Sequence, residues 1–452
     1  MNTFMKGTVL LIMAAFLGEC LEFLINMVLA RELGEKGLGL YMAILPTIVF
    51  LVVIASMELP ISISKAVAEQ NEVYHRSFLQ HTLHFTAAFT VFFLFIAVII
   101  YPIIPVFNAY HRSLPWLLLM LIPVISFSSV ARGYFMGIQR MAKIAIANFL
   151  RRAVQLLLLL AVFQLFHFEQ ELAILIALLT LIATEVIVFL YIFTAFLRQL
   201  HKLHHTKDSP SLPKQSVLNT LLKVSLPTTG LRIFHAASFA IKPFLIQAAL
   251  IKGGMVEEMA MVQYGKLAGI AFTIGFFPAF IAHSLLIILI PTVSETYANK
   301  EIKKVKQLLF KIMMFTLLYA IPAGAIFYFY SHELTALFFE ADTAAIYLEL
   351  LVPYFFFHFF VIPMQAFLIG LGLVKDAFLH SIWSTAVSFI LMYFLGSMPQ
   401  LQMSGIIIGM NTGIVLLTLM HFLTIRYQLS QPVFSRITSS PKSGGCSKSP
   451  LL

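Results

Sequence analysis

Apolar residues in this chain come in unbroken runs of about twenty or more, parted by short polar turns, from one end to the other. A helix of that length spans the roughly 30 Å hydrocarbon core of a bilayer. The pattern predicts about twelve transmembrane helices, at roughly 7–30, 39–64, 82–106, 114–138, 144–166, 171–197, 219–250, 264–292, 307–330, 345–370, 376–396 and 404–427. The first run, after Lys6, is too long for a signal-peptide core and lacks a convincing cleavage site, so it is read as a retained span. No stretch remains for a soluble domain. The expectation is an all-α, multi-pass protein of the cell membrane, with the phospholipid bilayer as its solvent.

Composition agrees. Of 452 residues, 60% are hydrophobic and 11% charged, where a soluble domain carries roughly a quarter charged. The formal charge of +10 could suggest nucleic acid, but the basic residues lie in short loops between spans, where they set topology and meet anionic lipid. No nucleic acid partner is expected. With the N-terminus in the cytoplasm, only Arg31, Lys36, Arg112, Lys252 and Lys266 fall outside, and Arg232 and Lys242 fall within a span. The remaining 23 of the 30 Lys and Arg are cytoplasmic or at cytoplasmic span ends. That bias predicts an even number of spans and both termini inside.

A His-, Lys-, Ser- and Pro-rich stretch divides the chain in two. The expected organisation is an N-terminal six-helix lobe over 1–199, a cytoplasmic linker over 200–218, a C-terminal six-helix lobe over 219–429 and a disordered tail over 430–452. His201, His204 and His205 read as a solvated linker and not a metal site, because no Cys or acid completes a ligand set. Cys20 and Cys446 make no disulfide framework. No P-loop, HExxH or zinc spacing is present. The chain is read as no enzyme, without metal or cofactor.

The halves look like repeats. Leu59-Pro60 and Ile290-Pro291 each stand near the cytoplasmic end of a second span, before an amphipathic charged stretch. Pro123 precedes Gly133-Tyr-Phe-Met-Gly137, and Pro353 precedes Ala366-Phe-Leu-Ile-Gly370; both are small-xxx-small patterns that let helix backbones approach. Six spans per half return the chain to its starting side, so the lobes are parallel repeats, with a binding cleft expected between them. Prolines in many spans, Pro46 and Pro322 among them, suit helices that kink against one another.

Ionisable side chains in hydrocarbon cost roughly 2.5–3.5 kcal/mol each on insertion scales and must face protein or water. Glu19, Glu22 and Asn26 share one face of the first span, at i, i+3 and i+7. Arg232, His235 and Lys242 share a face of the seventh. These six are the candidates for a central cleft that holds substrate or couples an ion. Secondary candidates are Glu58 and Lys65, placed on one face of the second span, with Arg132, Arg151 and Arg152. Glu185 and His283 stand more isolated. Structural ion pairs pinning helices together are the alternative for all of them.

Several segments resemble one family. Lys6-Gly-Thr, Val28-Leu-Ala-Arg31, Leu33-Gly34, Gly37-Leu-Gly-Leu-Tyr41, Pro60-Ile-Ser-Ile-Ser-Lys65 and Arg132-Gly-Tyr-Phe-Met-Gly137, with Ile369-Gly-Leu-Gly372 and Lys375, are similar to the stage V sporulation protein B branch of the polysaccharide exporters. That branch lies in the multidrug/oligosaccharidyl-lipid/polysaccharide (MOP) superfamily, with the lipid II flippase MurJ and the multidrug and toxin extrusion (MATE) transporters. The resemblance implies a V-shaped two-lobe bundle of MATE/MurJ type. It implies a flippase-like exporter of a lipid-linked saccharide, a cell-wall or spore-envelope precursor, working by alternating access in sporulation. A cation-coupled multidrug exporter, driven by H⁺ or Na⁺, and a non-transporting scaffold of spore-envelope assembly are the alternatives. The family pattern resembles Arg where this chain has Glu19 and Asn26, and Glu where it has Arg151. With signs exchanged, Glu19 is expected to pair with Arg151 or Arg232, and Arg232 to be the main anion contact.

Overall fold

Hydrocarbon offers no partner for backbone N–H and C=O groups, so a chain of this composition must satisfy them within helices. The computed structural model describes residues 3–100, 107, 109–204, 212–338 and 344–430, and these are almost wholly helical. In order they form α1 (Thr3–Ser56), α2 (Leu59–Glu69), α3 (Glu72–Ile100), α4 (Leu114–Gly137), α5 (Met141–Leu165), α6 (Gln170–His204), α7 (Lys214–Lys252) and α8 (Glu257–Gly265). A π-helical turn (Lys266–Ala271) leads into α9 (Phe272–Phe276), followed by α10 (Ala279–Ala298), α11 (Ile302–Phe329), α12 (Ser331–Ala336), α13 (Ala345–Leu350), α14 (Val352–Gly370), α15 (Val374–Gly396) and α16 (Met403–Ser430).

Among the described residues eleven helices are long and apolar enough to cross a membrane. The first of them holds two of the predicted spans. α1 has 54 residues, about 80 Å at 1.5 Å per residue, and breaks at Gly34, where φ is 67°. That backbone conformation suits a residue without Cβ. Each of the twelve predicted spans therefore has its helix. Three are broken. The predicted span 264–292 is divided among α8, the π turn, α9 and α10, with Pro278 closing the gap before α10. The predicted span 345–370 breaks between α13 and α14, just before Pro353, which cannot continue the hydrogen-bond ladder.

The third break, within the predicted span 39–64, corrects a sequence expectation. Met57 and Glu58 have φ of 45° and 48°, so α1 ends before α2 begins. Glu58 and Lys65 do not share the face of one continuous helix. Lys65 is exposed beside Glu69 at 3.9 Å, away from the cavities described below. The connection between halves is also shorter than the predicted linker 200–218, because α6 runs on to His204 and α7 begins at Lys214. Leu212, before α7, is tied to α3: its N–H donates to Ser77 Oγ at 2.8 Å, and its carbonyl meets His81 at 3.1 Å. His205, the tail beyond Ser430 and Cys446 lie outside the described residues.

The buried apolar residues fall into three clusters, and their placement gives the shape. At the end that the charge tally puts outside, one cluster joins both halves, with Leu29, Leu38, Tyr41, Leu118 and Leu178 packed with Ile246, Leu267, Phe355 and Met410. At the opposite, inner end there are two. One is built on Leu59, Ile63, Phe78, Tyr134 and Phe196 of the N-terminal half, the other on Leu289, Val293, Phe367 and Ile425 of the C-terminal half. A bundle with a common core at one end and separate cores at the other is a V. The first turns of α7 cross the divide, since Val217 and Leu221 are buried in the N-terminal cluster.

Each inner core is closed by the same device. A Cβ built on Gly137 of α4 would lie 2.7 Å from Val67 Cβ and 3.0 Å from the Ser64 carbonyl. One on Gly370 of α14 would lie 2.8 Å from Val293 Cβ and 3.0 Å from the Ile290 carbonyl. The glycines let α4 lie directly on α2, and α14 on α10. Val67 follows Pro60 by seven residues and Val293 follows Pro291 by two, so the two crossings do not share the register that the prolines suggest.

A candidate transport cavity between the halves

Three connected hollows occupy the V. The largest, 720 Å³, is walled by the N-terminal half and closed by Arg232 and Phe239 of α7. A second, 420 Å³, lies between the halves and runs from Glu19, Glu22 and Asn26 to Lys242, Phe272 and Tyr354. A third, 320 Å³, lies in the C-terminal half and is lined by His235, Lys242, Ser384 and Ser388. Phe239 lines all three. It is the side chain the sequence reading missed. Its signal was present, because His235, Phe239 and Lys242 stand at i, i+4 and i+7 on one face of α7.

The predicted charges meet here, though not as expected. Glu19 Oε1 lies 3.3 Å from Arg152 Nη2, and Glu22 Oε2 lies 3.2 Å from Arg152 Nε. The carboxylates therefore share Arg152, not Arg151 or Arg232. Neighbouring helix positions point about 100° apart, so when Arg152 faces α1, Arg151 turns toward α6 and meets Glu185 at 3.4 Å. Arg232 is taken as well. Its Nη1 lies 2.9 Å from Glu58, whose side chain is only 5% exposed. The isolated Glu185 and the displaced Glu58 are thus the missing partners. An acid in a span must find a base, but which base depends on helix rotation.

Of the lysines and arginines that line the hollows, Arg132 and Lys242 have no carboxylate in contact among the described residues. Arg132 donates from Nη1 to Asn148 Oδ1 at 2.9 Å and lies 3.4 Å from Ser128 Oγ. Lys242 stands between the second and third hollows, its Nζ 5.3 Å from the Phe272 ring centroid and 5.9 Å from that of Tyr354. Those distances are in the cation–π range. His235 lies edge-on to Phe234 and Phe378. Asn26 lines the first two hollows beside Glu22.

The end that holds the common core is shut by contacts between the halves. Gly39 and Gly265 cross so closely that a Cβ on Gly265 would lie 2.7 Å from Gly39 Cα. Lys266, 7% exposed, pairs with Glu35 at 3.1 Å. Lys36 pairs with Glu258 at 2.6 Å, and Arg31 donates to the Leu337 carbonyl at 3.0 Å. These contacts hold the two halves together at that end of the V.

Comparisons with known proteins agree with this architecture. The family model described as "Polysaccharide biosynthesis protein" matches residues 4–297, and a MatE model matches 266–387. The chain is 52% identical to "Sporulation protein YkvU" of Bacillus subtilis (strain 168), over 96% of this chain and 97% of that protein. It is 32% identical to "Stage V sporulation protein B" of the same organism, over 94% and 84%. Among solved structures, an inward-facing multidrug resistance MATE family transporter of the MOP superfamily superposes with a TM-score of 0.72 at 16% identity, covering 93% of this chain and 96% of that one. The fold and family are those of multi-pass membrane transporters and not of enzymes. The chain belongs to the polysaccharide biosynthesis protein family, in the branch that holds stage V sporulation protein B.

Proposed function

We propose that this protein exports a lipid-linked saccharide, a cell-wall or spore-envelope precursor, across the cell membrane by alternating access during sporulation. The observation that carries the reading is Lys242. It is a cation in the middle of the V, without a carboxylate in contact and held on two aromatic faces. A phosphate group linking lipid to sugar would supply the missing anion, and ring faces beside it suit the apolar side of a sugar. Arg132, nearer the inner mouth, is a first contact for the same anion. Arg151, Arg152 and Arg232 are neutralised by Glu19, Glu22, Glu58 and Glu185.

With both termini in the cytoplasm, the shut end faces out and the hollows open inward, the state that loads a precursor made inside. Export then requires the Gly39–Gly265 crossing and the ion pairs beside it to part while the inner cores close together. The two lobes, 1–199 and 219–429, would move as units, with α1 and α7 spanning the divide.

The test is reconstitution in liposomes with a fluorescent undecaprenyl-linked saccharide, with and without H⁺ and Na⁺ gradients. Translocation should fall at least tenfold in Lys242→Ala, and Lys242→Arg should retain most of it. If the labelled lipid crosses no faster with protein than without it under any gradient, the saccharide reading fails. A drug that moves in place of the lipid would favour the multidrug alternative.

A further inference from the structure

His380 of α15 and His421 of α16 meet inside the C-terminal half, their rings tilted 46° to each other, and are 8% and 1% exposed. Their Nδ1 atoms are 3.0 Å apart, and His380 Nε2 is 3.2 Å from Thr424 Oγ1. Two nitrogens at that distance need one proton between them. Two neutral imidazoles supply it, with one Nδ1–H donating to the other ring. A further proton has a place to go. Two neutral rings carry two protons on four nitrogens, so an added proton takes the vacant Nε2 and leaves the Nδ1–H···Nδ1 bond intact. Where that vacant atom is on His380, the Thr424 hydroxyl turns from donor to acceptor. The pair can thus gain or lose one proton without losing its mutual bond, which becomes charge-assisted when the proton is held.

The surroundings connect this pair to the cavity. Ser384 and Ser388 stand one and two turns beyond His380 on α15, and Leu417 stands one turn before His421 on α16; all three line the hollow that also holds Lys242. Asp376 lies one turn before His380 on α15. From α7, His235 sets its ring against Phe378. α14 presents apolar Phe367 and Leu371, in one cluster with Ile425 of α16. Tyr297 of α10 accepts from Gln428 at 2.9 Å. Lys375 and Arg426, on the same two helices, are exposed. In the N-terminal cavity, by contrast, Glu19, Glu22, Glu58 and Glu185 are each engaged by an arginine.

We propose that the His380–His421 pair is a proton-binding site of the transport cycle, whose occupancy changes the balance between the inward-open and outward-open forms. The inference rests on the transporter fold and is independent of which substrate is carried. A proton held there adds positive charge to the cavity that Lys242 faces.

The test uses spin labels at Glu69→Cys and Asn299→Cys, exposed at the inner ends of α2 and α10, with Cys20→Ser and Cys446→Ser, in liposomes at equal pH on both sides. The wild-type pair should shift its inter-label distance between pH 8 and pH 4.5. His380→Gln with His421→Gln should abolish the shift, and the surface control His84→Gln should keep it. In ¹⁵N-histidine spectra of the wild-type protein, the Nε2 atoms of the pair should gain one proton over the same range. That measurement stands if the double variant does not fold. A wild-type distance that never shifts, a shift that survives in the double variant, or a pair whose nitrogens keep their protons throughout would each overturn the proposal.

Discussion

The two halves share a scaffold and differ in chemistry. In both, an inner core forms where a glycine of the fourth span rests on a valine of the second, Gly137 on Val67 and Gly370 on Val293. Yet the N-terminal hollow is crowded with ion pairs, while the C-terminal one is walled by hydroxyls, aromatic rings and one lysine. The difference shows that duplication holds sterics more firmly than charge. A helix crossing permits no extra atom, whereas a wet cavity wall accepts any side chain whose charge finds a partner. It also divides the labour. The N-terminal carboxylates are each taken up by an arginine, and the cation seated on aromatic rings, Lys242, lies with the C-terminal half.

The shared scaffold is the first thing to break, and the effect should be the largest. Gly137→Leu and Gly370→Leu each drive a side chain into a valine and a backbone carbonyl. Overpacking costs typically 1–3 kcal/mol and occasionally more, and here backbone stands in the way, so about 3 kcal/mol is expected for each. Thermal melts of the detergent-purified protein should show two losses of similar size. If one half tolerates leucine, the crossings are not equivalent.

How much of this was legible beforehand follows the same division. The apolar runs placed every span, because length and composition alone decide what can lie in a bilayer. The small-xxx-small patterns marked the crossing helices, though not the register in which they meet. What no pattern showed was the π turn at 266–271, which follows no proline. The glycine before it and the glycine within it lie against α1, Gly265 on Gly39 and Gly269 on Leu38. The ion pairs were half legible. That Glu19 seeks an arginine is physical chemistry; that it finds Arg152 and not Arg151 is a rotation of α5 that tertiary contacts set. Lys242 was read as a basic cleft residue facing the acids of α1, and its aromatic seat could not be seen, because Phe272 and Tyr354 come from two other spans.

Removing Arg232 sharpens the contrast between spent and unspent cations. Arg232→Met leaves Glu58 nearly buried and without its partner, which costs on the order of 1–3 kcal/mol. Adding Glu58→Gln should recover most of the loss. Lys242→Met, with no acid to abandon, should leave the melt unchanged within about 0.5 kcal/mol. Equal losses from the two substitutions would mean that Lys242 has a structural partner after all.

The clamp on Arg152 is wetter, and its effect should be smaller. Glu19 and Glu22 are a third or more exposed, so water screens much of their interaction. Arg152→Ala should cost about 1–2 kcal/mol, chiefly from two carboxylates left facing each other. Glu19→Arg should be rescued by Arg152→Glu and not by Arg151→Glu, with melts as the readout. Rescue through Arg151 would restore the pairing expected from the exchanged signs.

The smallest expected effect lies in the outer seal, where two ion pairs join the halves at unequal depth. Lys36–Glu258 is exposed at both ends, and such pairs contribute roughly 0.2–1 kcal/mol, less as salt rises. Lys266–Glu35 hides its lysine, so Lys266→Met removes a desolvated charge and a partner together and should change stability little. Lys36→Ala and Lys266→Met each weaken a contact across the end that is shut in this structure. Each should therefore tilt the protein toward the outward-open state, seen as a population shift in the inter-label distances between α2 and α10. Salt should mimic Lys36→Ala and leave Lys266→Met unaffected. If added salt shifts neither the population nor the melt, the Lys36–Glu258 pair does not hold the outer end shut, and closure rests on the Gly39–Gly265 crossing and the buried pair.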